Sequence, residues 1–384
     1  GSIYEDLLAK AIVPFTSAGI GMPWMQVFGN HDGLMQGNAP RNAAFNAIAM
    51  GPLKVTGFPG IDPCDQFSIM RNDARAVATA PSHVVCADPK RRVLTNREYI
   101  QEHFVTSGSP VGHGFASPDG ASYWVNDSVP GFRLIGLNTM NPGGLDGGSI
   151  GQAQFDWFEA QLQAVHSRYF DDAGNEVAGT GTDRFVIIFS HHGLRSLSNQ
   201  NVTADPMDPT TADLPRKLAA DIQPLVKRFP NVIAWVNGHT HDNVVEPRAG
   251  FGGFGYWDIG TAAHIDFPSQ SRLIEVVDNK DGTISVVCTM IDHAGPAAPT
   301  ATLDPVLRLA SISRELAAND YHVNKGPGQL DDRNVELVLK NPLPSGPSLT
   351  ASSMLWLPRT PGQVTAAAAL TGLGAVIKRR MARA

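Results

Sequence analysis

Three short stretches concentrate imidazole and amide side chains: Phe28-Gly29-Asn30-His31-Asp32, Ser190-His191-His192 and Gly238-His239-Thr240-His241. Neutral imidazole nitrogen and amide oxygen, with no thiolate among them, suit borderline divalent ions such as Zn, Mn, Fe or Ni. Two such ions ~3.5–4 Å apart polarise a phosphoryl oxygen and bring a shared water from a pKa of ~15.7 toward ~7. His239 and His241 are separated by one residue, so they point the same way if the segment is extended. Gly238 is expected to let the backbone turn tightly just before them. His31 lies beside Asn30 and is followed by Asp32. A carboxylate bonded to an imidazole raises its pKa and fixes its orientation, which suits a general acid for an alkoxide leaving group. The remaining histidines (His83, His103, His113, His166, His264, His293 and His322) lack such a setting and are read as ordinary loop or core residues.

Each stretch follows a short apolar run: Trp24–Phe28, Phe185–Phe189 or Val232–Val236. Runs of that length rich in β-branched and aromatic residues read as buried strands. Ligands of open α/β sheets collect at the carboxyl ends of strands, so the three loops are expected to share one centre. Phe132–Leu137 reads as a further strand. Gly151 to Val165 carries Phe155, Phe158, Leu162 and Val165 at helical spacing. Asn175 to Thr182 reads as a turn, and Asp213 as the N-cap of a helix carrying Leu218, Ile222, Leu225 and Val226, with Pro224 inside it. Ahead of Trp24, residues 3–19 read as a short helix.

The pattern then changes. Tyr256–Thr261, Arg272–Val277 and Thr283–Met290 are strand candidates without helices between them, and Asn279-Lys280-Asp281-Gly282 has hairpin-turn chemistry. Leu303 to Ala317 reads as a helix. The fold class expected is α/β, bordering on α+β: two mixed β-sheets packed as a sandwich and flanked by helices. Residues 33–130 are rich in Gly, Pro, Asn and Asp. A structureless loop of that length is abnormal, so an ordered elaboration over the strand ends is expected. The main domain spans 1–300, a helix and strand extension 301–342, and a linker and flexible tail 343–384.

Composition narrows the function classes. The chain has 384 residues, 42% hydrophobic and 17% charged, as in a soluble globular protein. Its net charge of −6 and lack of a basic stripe give nucleic-acid binding no support. Lys90-Arg91-Arg92 reads as a solvated face. No apolar run reaches the ~20 residues of a membrane span, and the first residues carry no signal peptide. Cys64, Cys86 and Cys288 are too few for a thiolate metal site. Cys64 and Cys86 either pair in an oxidising compartment or stay as thiols.

At these residues the sequence resembles the calcineurin-like metallophosphoesterases, whose motifs run D-x-H, G-D-x-x-D, G-N-H-D/E, a strand-end His, and G-H-x-H. Gly29-Asn30-His31-Asp32 matches the third, Ser190-His191-His192 the fourth and Gly238-His239-Thr240-His241 the fifth. Leu134 to Leu162, Gly112-His113-Gly114-Phe115 and Ala263-His264-Ile265-Asp266 add to the likeness, the last two resembling an actinobacterial, often exported branch. It covers roughly residues 3–342. The resemblance implies two divalent ions (Mn, Fe or Zn), with Asn30, His191 and His239 on the second and His241 on the first. His31 with Asp32 would act on the leaving group of a small phosphorylated substrate. No D-x-H or G-D-x-x-D stands upstream of Asn30, so the expectation is a fragment of a longer product with the downstream ligands intact. The alternative is an impaired or non-catalytic scaffold binding a partner or phosphorylated ligand.

Overall fold

The computed structural model describes residues 4, 7–16, 19–61, 74–208, 213–320, 326–343 and 377–380. In chain order the elements begin with α1 (Leu7–Ala11), one-turn α2 (Asn30–Gly33), α3 (Ala43–Met50), β1 (Leu53–Val55), α4 (Ala74–Thr79), β2 (Ser82–Val84) and α5 (Asn96–Val105). They continue with β3 (Trp124–Asn126), β4 (Phe132–Leu137), α6 (Gln152–Gln163), β5 (Arg168–Phe170), β6 (Glu176–Ala178), β7 (Phe185–Ser190), α7 (Ala219–Val226) and β8 (Val232–Asn237). Last come β9 (Val244–Ala249), β10 (Gly255–Gly260), β11 (Gln270–Asp278), β12 (Thr283–Asp292), α8 (Pro305–Ala318), β13 (Val335–Lys340) and β14 (Ile377–Arg380).

Six strands form the main sheet in the order β3-β4-β7-β8-β10-β9. The four inner strands run parallel, and β3 and β9 close the edges antiparallel. A second sheet has the order β11-β12-β13-β14. Side chains alternate across a strand, which explains why the inner strands are apolar throughout. On β7, Phe185 and Ile187 face the second sheet, packing with Ile284, Val286, Leu337 and Leu339. Val186 and Ile188 face Phe158 and Leu162 of α6 and Ile222 and Leu225 of α7. Strands buried on both faces lose the polar alternation of a half-exposed sheet. The expected sandwich of two mixed sheets with flanking helices is formed.

Several local expectations change. Trp24–Phe28 is extended but joins neither sheet, because β3 already pairs with the edge of β4. Its backbone bonds to the 109–113 loop instead, Trp24 N to Ser109 O at 3.0 Å and Gln26 N to His113 O at 2.9 Å. Trp124 Nε1 donates to Gln26 O at 2.6 Å, and the fully buried Phe28 packs with Ile100, Phe115, Trp124 and Met140. Asp213 caps a helix, though not the one that follows it. Its carboxylate accepts from Ala153 N at 2.8 Å and Gln154 N at 3.3 Å, across the chain at the start of α6. The helix after it starts at Ala219, where Asp221 bonds back to Leu218 N at 2.8 Å. The turn expected at 175–182 contains β6, which pairs with β5 as a hairpin.

Among the described residues after Gly33, α3, α4 and the β1–β2 pair enclose Phe45, Phe58 and Val77 as a small lobe, while Ile100 of α5 packs with Phe28, Phe115 and Trp124. Arg91 of the basic cluster donates to the carbonyls of Ala49, Gly51 and Cys86 at 2.8–2.9 Å, so part of that cluster is structural. β13 supplies Val335, Leu337 and Leu339 to the sandwich core. The tail expected beyond 343 falls mostly outside the described residues, as does Cys64. β14, within that tail, pairs parallel to β13. Among the described residues no helix is long and apolar enough to cross a membrane.

A buried ion pair helps fasten the lobe to the sheet side. The Arg41 guanidinium meets Asp205, both side chains about 1% exposed, and also donates to Leu94 O at 2.6 Å and Asn96 Oδ1 at 3.0 Å. Removing one partner of such a pair strands the other's charge in low dielectric. Arg41→Ala is expected to cost about 3–5 kcal/mol, seen as a lowered thermal midpoint. Arg41→Met with Asp205→Leu should recover most of it. A single variant as stable as the parent would show that the pair does not fasten the lobe.

Candidate metal centre

The parallel strands β4, β7, β8 and β10 all present their carboxyl ends at one edge of the main sheet, and the residues after them meet there. After β7, Ser190 Oγ donates to His192 O at 2.7 Å and accepts from Trp235 Nε1 at 2.7 Å, fixing the turn that carries His191. After β8, Gly238 N donates to His191 O at 3.0 Å, tying the two histidine loops together. Gly193 is required here: a Cβ would lie 2.4 Å from Asn237 Oδ1.

Asn30, 4% exposed, sits on α2. Its Nδ2 donates to Gly37 O at 2.9 Å, which turns Oδ1 toward His191. His191 Nε2 is 2.8 Å from that Oδ1 and 3.2 Å from His239 Nδ1. Three donor atoms therefore converge. Around a tetrahedral ion with bonds of ~2.0–2.1 Å, neighbouring ligand atoms lie about 3.3 Å apart, close to both spacings. Burial, and then the neighbouring His239, His241 and His31, push the His191 pKa down to about 3. Its imidazole is neutral and can offer a lone pair. Both spacings at His191 Nε2 suit a shared divalent ion.

His192 is not among the expected ligands, yet it is fully buried, and one of its two nitrogens lies within 4.8 Å of a nitrogen of each of His191 and His239. Both are already engaged, Nδ1 with Thr139 Oγ1 at 2.9 Å and Nε2 with Asp146 O at 2.8 Å. A carbonyl only accepts, so Nε2 carries the proton. Burial and then His191 lower the His192 pKa to about 2. The ring braces the β4 and β7 loops from behind the trio.

The Gly238–His241 segment is not extended. His239 and His241 have φ of 65° and 59°, in the left-handed region that non-glycine residues rarely adopt. Gly238 does not supply the turn expected of it; a Cβ there would meet nothing nearer than 3.9 Å. Strain of this kind persists only where surrounding structure imposes it. His241 Nδ1 bonds the Asp266 carboxylate, which leaves Nε2 as its free nitrogen. Nothing in a separation of 25 residues announces that bond. Beside it, Asp242 faces Arg195 at 3.7 Å, while its Oδ1 is buried without a hydrogen-bond partner among the described residues.

His31 is exposed and rests on Gly37, where a Cβ would lie 2.5 Å from Nε2; Gly37 has φ 72°. Asp32 does not bond His31. Its carboxylate accepts from Gly29 N at 2.8 Å, closing the first turn of α2. It also faces Tyr99, where burial and then Asp32 raise the phenol pKa well above its ordinary value. The geometry thus brings Asn30, His191 and His239 into contact. His241 and His31 lie near enough to influence His191 electrostatically.

No family model matches the chain, and no curated protein matches it. Among solved structures the chain is similar to the crystal structure of a dimetal phosphatase from Danio rerio, at 14% identity and a TM-score of 0.28. The match covers 44% of this chain and 57% of that one, so the chain spans just over half of that structure. A likeness at that level carries no functional argument; the donor geometry has to carry it alone.

The Asp266 bond has a readable consequence in the metal-free protein. Nitrogen-15 spectra should show His241 protonated at Nδ1, and Asp266→Asn should shift it toward a mixture of tautomers. A parent ring already mixed would mean the carboxylate does not orient it.

Proposed function

We propose that the protein is a metal-dependent phosphoesterase of the calcineurin-like type, acting on a phosphomonoester or phosphodiester. The observation that carries this reading is the convergence of Asn30 Oδ1, His191 Nε2 and His239 Nδ1. Those three would hold one ion, and His241, oriented by Asp266, would face the other. When bound, such ions act as Lewis acids on a phosphoryl oxygen and supply an activated water.

The chain's own residues account for the remaining work. His31, exposed next to Asn30, would hand a proton to a departing alkoxide. Asp32 keeps that histidine in place indirectly, by locking α2 through Gly29 N. Thr139 and Asp146 hold His192, which ties the loop after β4 to the turn that carries His191. A second reading is a scaffold that binds a phosphorylated ligand without turnover. It is favoured by the donor trio itself, which contains no carboxylate and so would hold a dication more weakly.

Metal content separates the two readings: about two equivalents of Mn or Zn after reconstitution favour the phosphoesterase, one or none a scaffold or a disabled fragment. Reconstituted protein should hydrolyse 4-nitrophenyl phosphate, and His239→Ala should remove that turnover. Turnover that survives chelation would reject the mechanism. His31→Ala should lower kcat by ~10²–10⁴ on alkyl phosphates and far less on 4-nitrophenyl phosphate, whose leaving group needs no proton.

A further inference from the structure

An open cleft of about 440 Å³ starts at His31 and Asp32 and is walled by Leu34, Met35, Val93, Leu94 and Tyr99. A second, more enclosed cavity of about 230 Å³ lies alongside, within the lobe, lined by Phe45, Ile48, Leu53, Val55 and Val77. Met35, Gln36 and Ala49 line both, so the two spaces adjoin.

Their walls are mostly apolar, with Gln36, Asn38 and Tyr99 adding uncharged polar groups. Among the described residues neither wall contains an arginine, and the one lysine, Lys54, donates to Ala49 O at 3.3 Å. The one carboxylate among them, Asp32, stands at the His31 end. A leaving group with a second phosphate or a carboxylate would meet Asp32 in the cleft. Among the described lining residues the cationic groups are His31 at the entrance and Lys54 in the far cavity, already bonded to a carbonyl, so its burial there carries a desolvation cost. An apolar chain would instead exchange water for Met35, Leu94, Ile48 and Val77.

We propose that the cleft and the adjoining cavity form a leaving-group subsite for a hydrophobic alcohol, making the substrate a phosphate ester of a long alkyl or comparable apolar alcohol. The inference rests on the phosphoesterase reading, because His31 is what connects the subsite to the reacting ester.

The experiment uses the metal-reconstituted full chain and n-alkyl phosphates from butyl to decyl, with phosphate release as the readout. KM is expected to fall roughly two- to fourfold per added methylene until the cavity is filled, with kcat little changed. Ala49→Trp, which fills the shared wall, should flatten that dependence, and its thermal midpoint checks folding. Leu94→Arg should make an ω-carboxyalkyl phosphate a better substrate than the neutral ester of the same length. A KM independent of chain length in the parent would overturn the subsite. Binding of 1-decanol to the metal-free protein, measured by calorimetry, tests the subsite without turnover. Decanol bound and weakened about tenfold by Ala49→Trp, with no ester hydrolysed, would sink the phosphoesterase reading and leave the subsite standing. No decanol binding would remove the subsite.

Discussion

One nitrogen atom, His191 Nε2, faces both an amide oxygen and a second imidazole nitrogen at 2.8 and 3.2 Å. Lone pairs brought that close repel unless a proton or a cation lies between them. Keeping the arrangement depends on neutrality, which burial enforces on His191 and His192. It also depends on rigidity, which comes from the ends of parallel strands. The bond from Gly238 N to His191 O makes the two histidine loops one unit. A displacement of either strand would open the trio.

That rigidity extends outward through polar contacts rather than apolar ones. Asn141 donates to Ser149 Oγ and to the carbonyls of Asn199 and Asn201, and Asn199 donates to those of Gly144 and Gly147. These bonds knit the loop after β4 to the loop after β7. Backbone groups buried beneath a site floor need partners, and asparagine side chains supply them where no regular ladder runs. Arg41 then carries the network into the lobe.

The strands and most helices were legible because their signals are local. β7 and β8 are short apolar runs, and Thr283–Asp292 follows a turn whose residues announce it. His191, His239 and His241 were legible for the same reason, each within a few residues of a strand end, whereas Asn30 opens a one-turn helix. What the sequence hid was partnership at a distance. Asp213 has the chemistry of a helix cap, but its helix lies some sixty residues upstream. Asp32 beside His31 suggested a pair, whereas the one-turn helix directs the carboxylate to its own first amide. Trp24–Phe28 has a strand's composition and lacks a strand's neighbour, since β3 took the edge. The left-handed backbone at His239 and His241 had no glycine to signal it.

The small core of the lobe, built on Phe45, Phe58 and Val77, shares no side chain with the two cores of the sandwich. The cluster around Phe28, with Leu34 and Ile100, lies between them and meets the sandwich through Leu134 and Phe189. Substitutions at Ile48, Val55 or Val77 can therefore accumulate at little cost to the strands that carry the histidines. A chain organised this way can be altered in the lobe while the histidine loops at the strand tips keep their places.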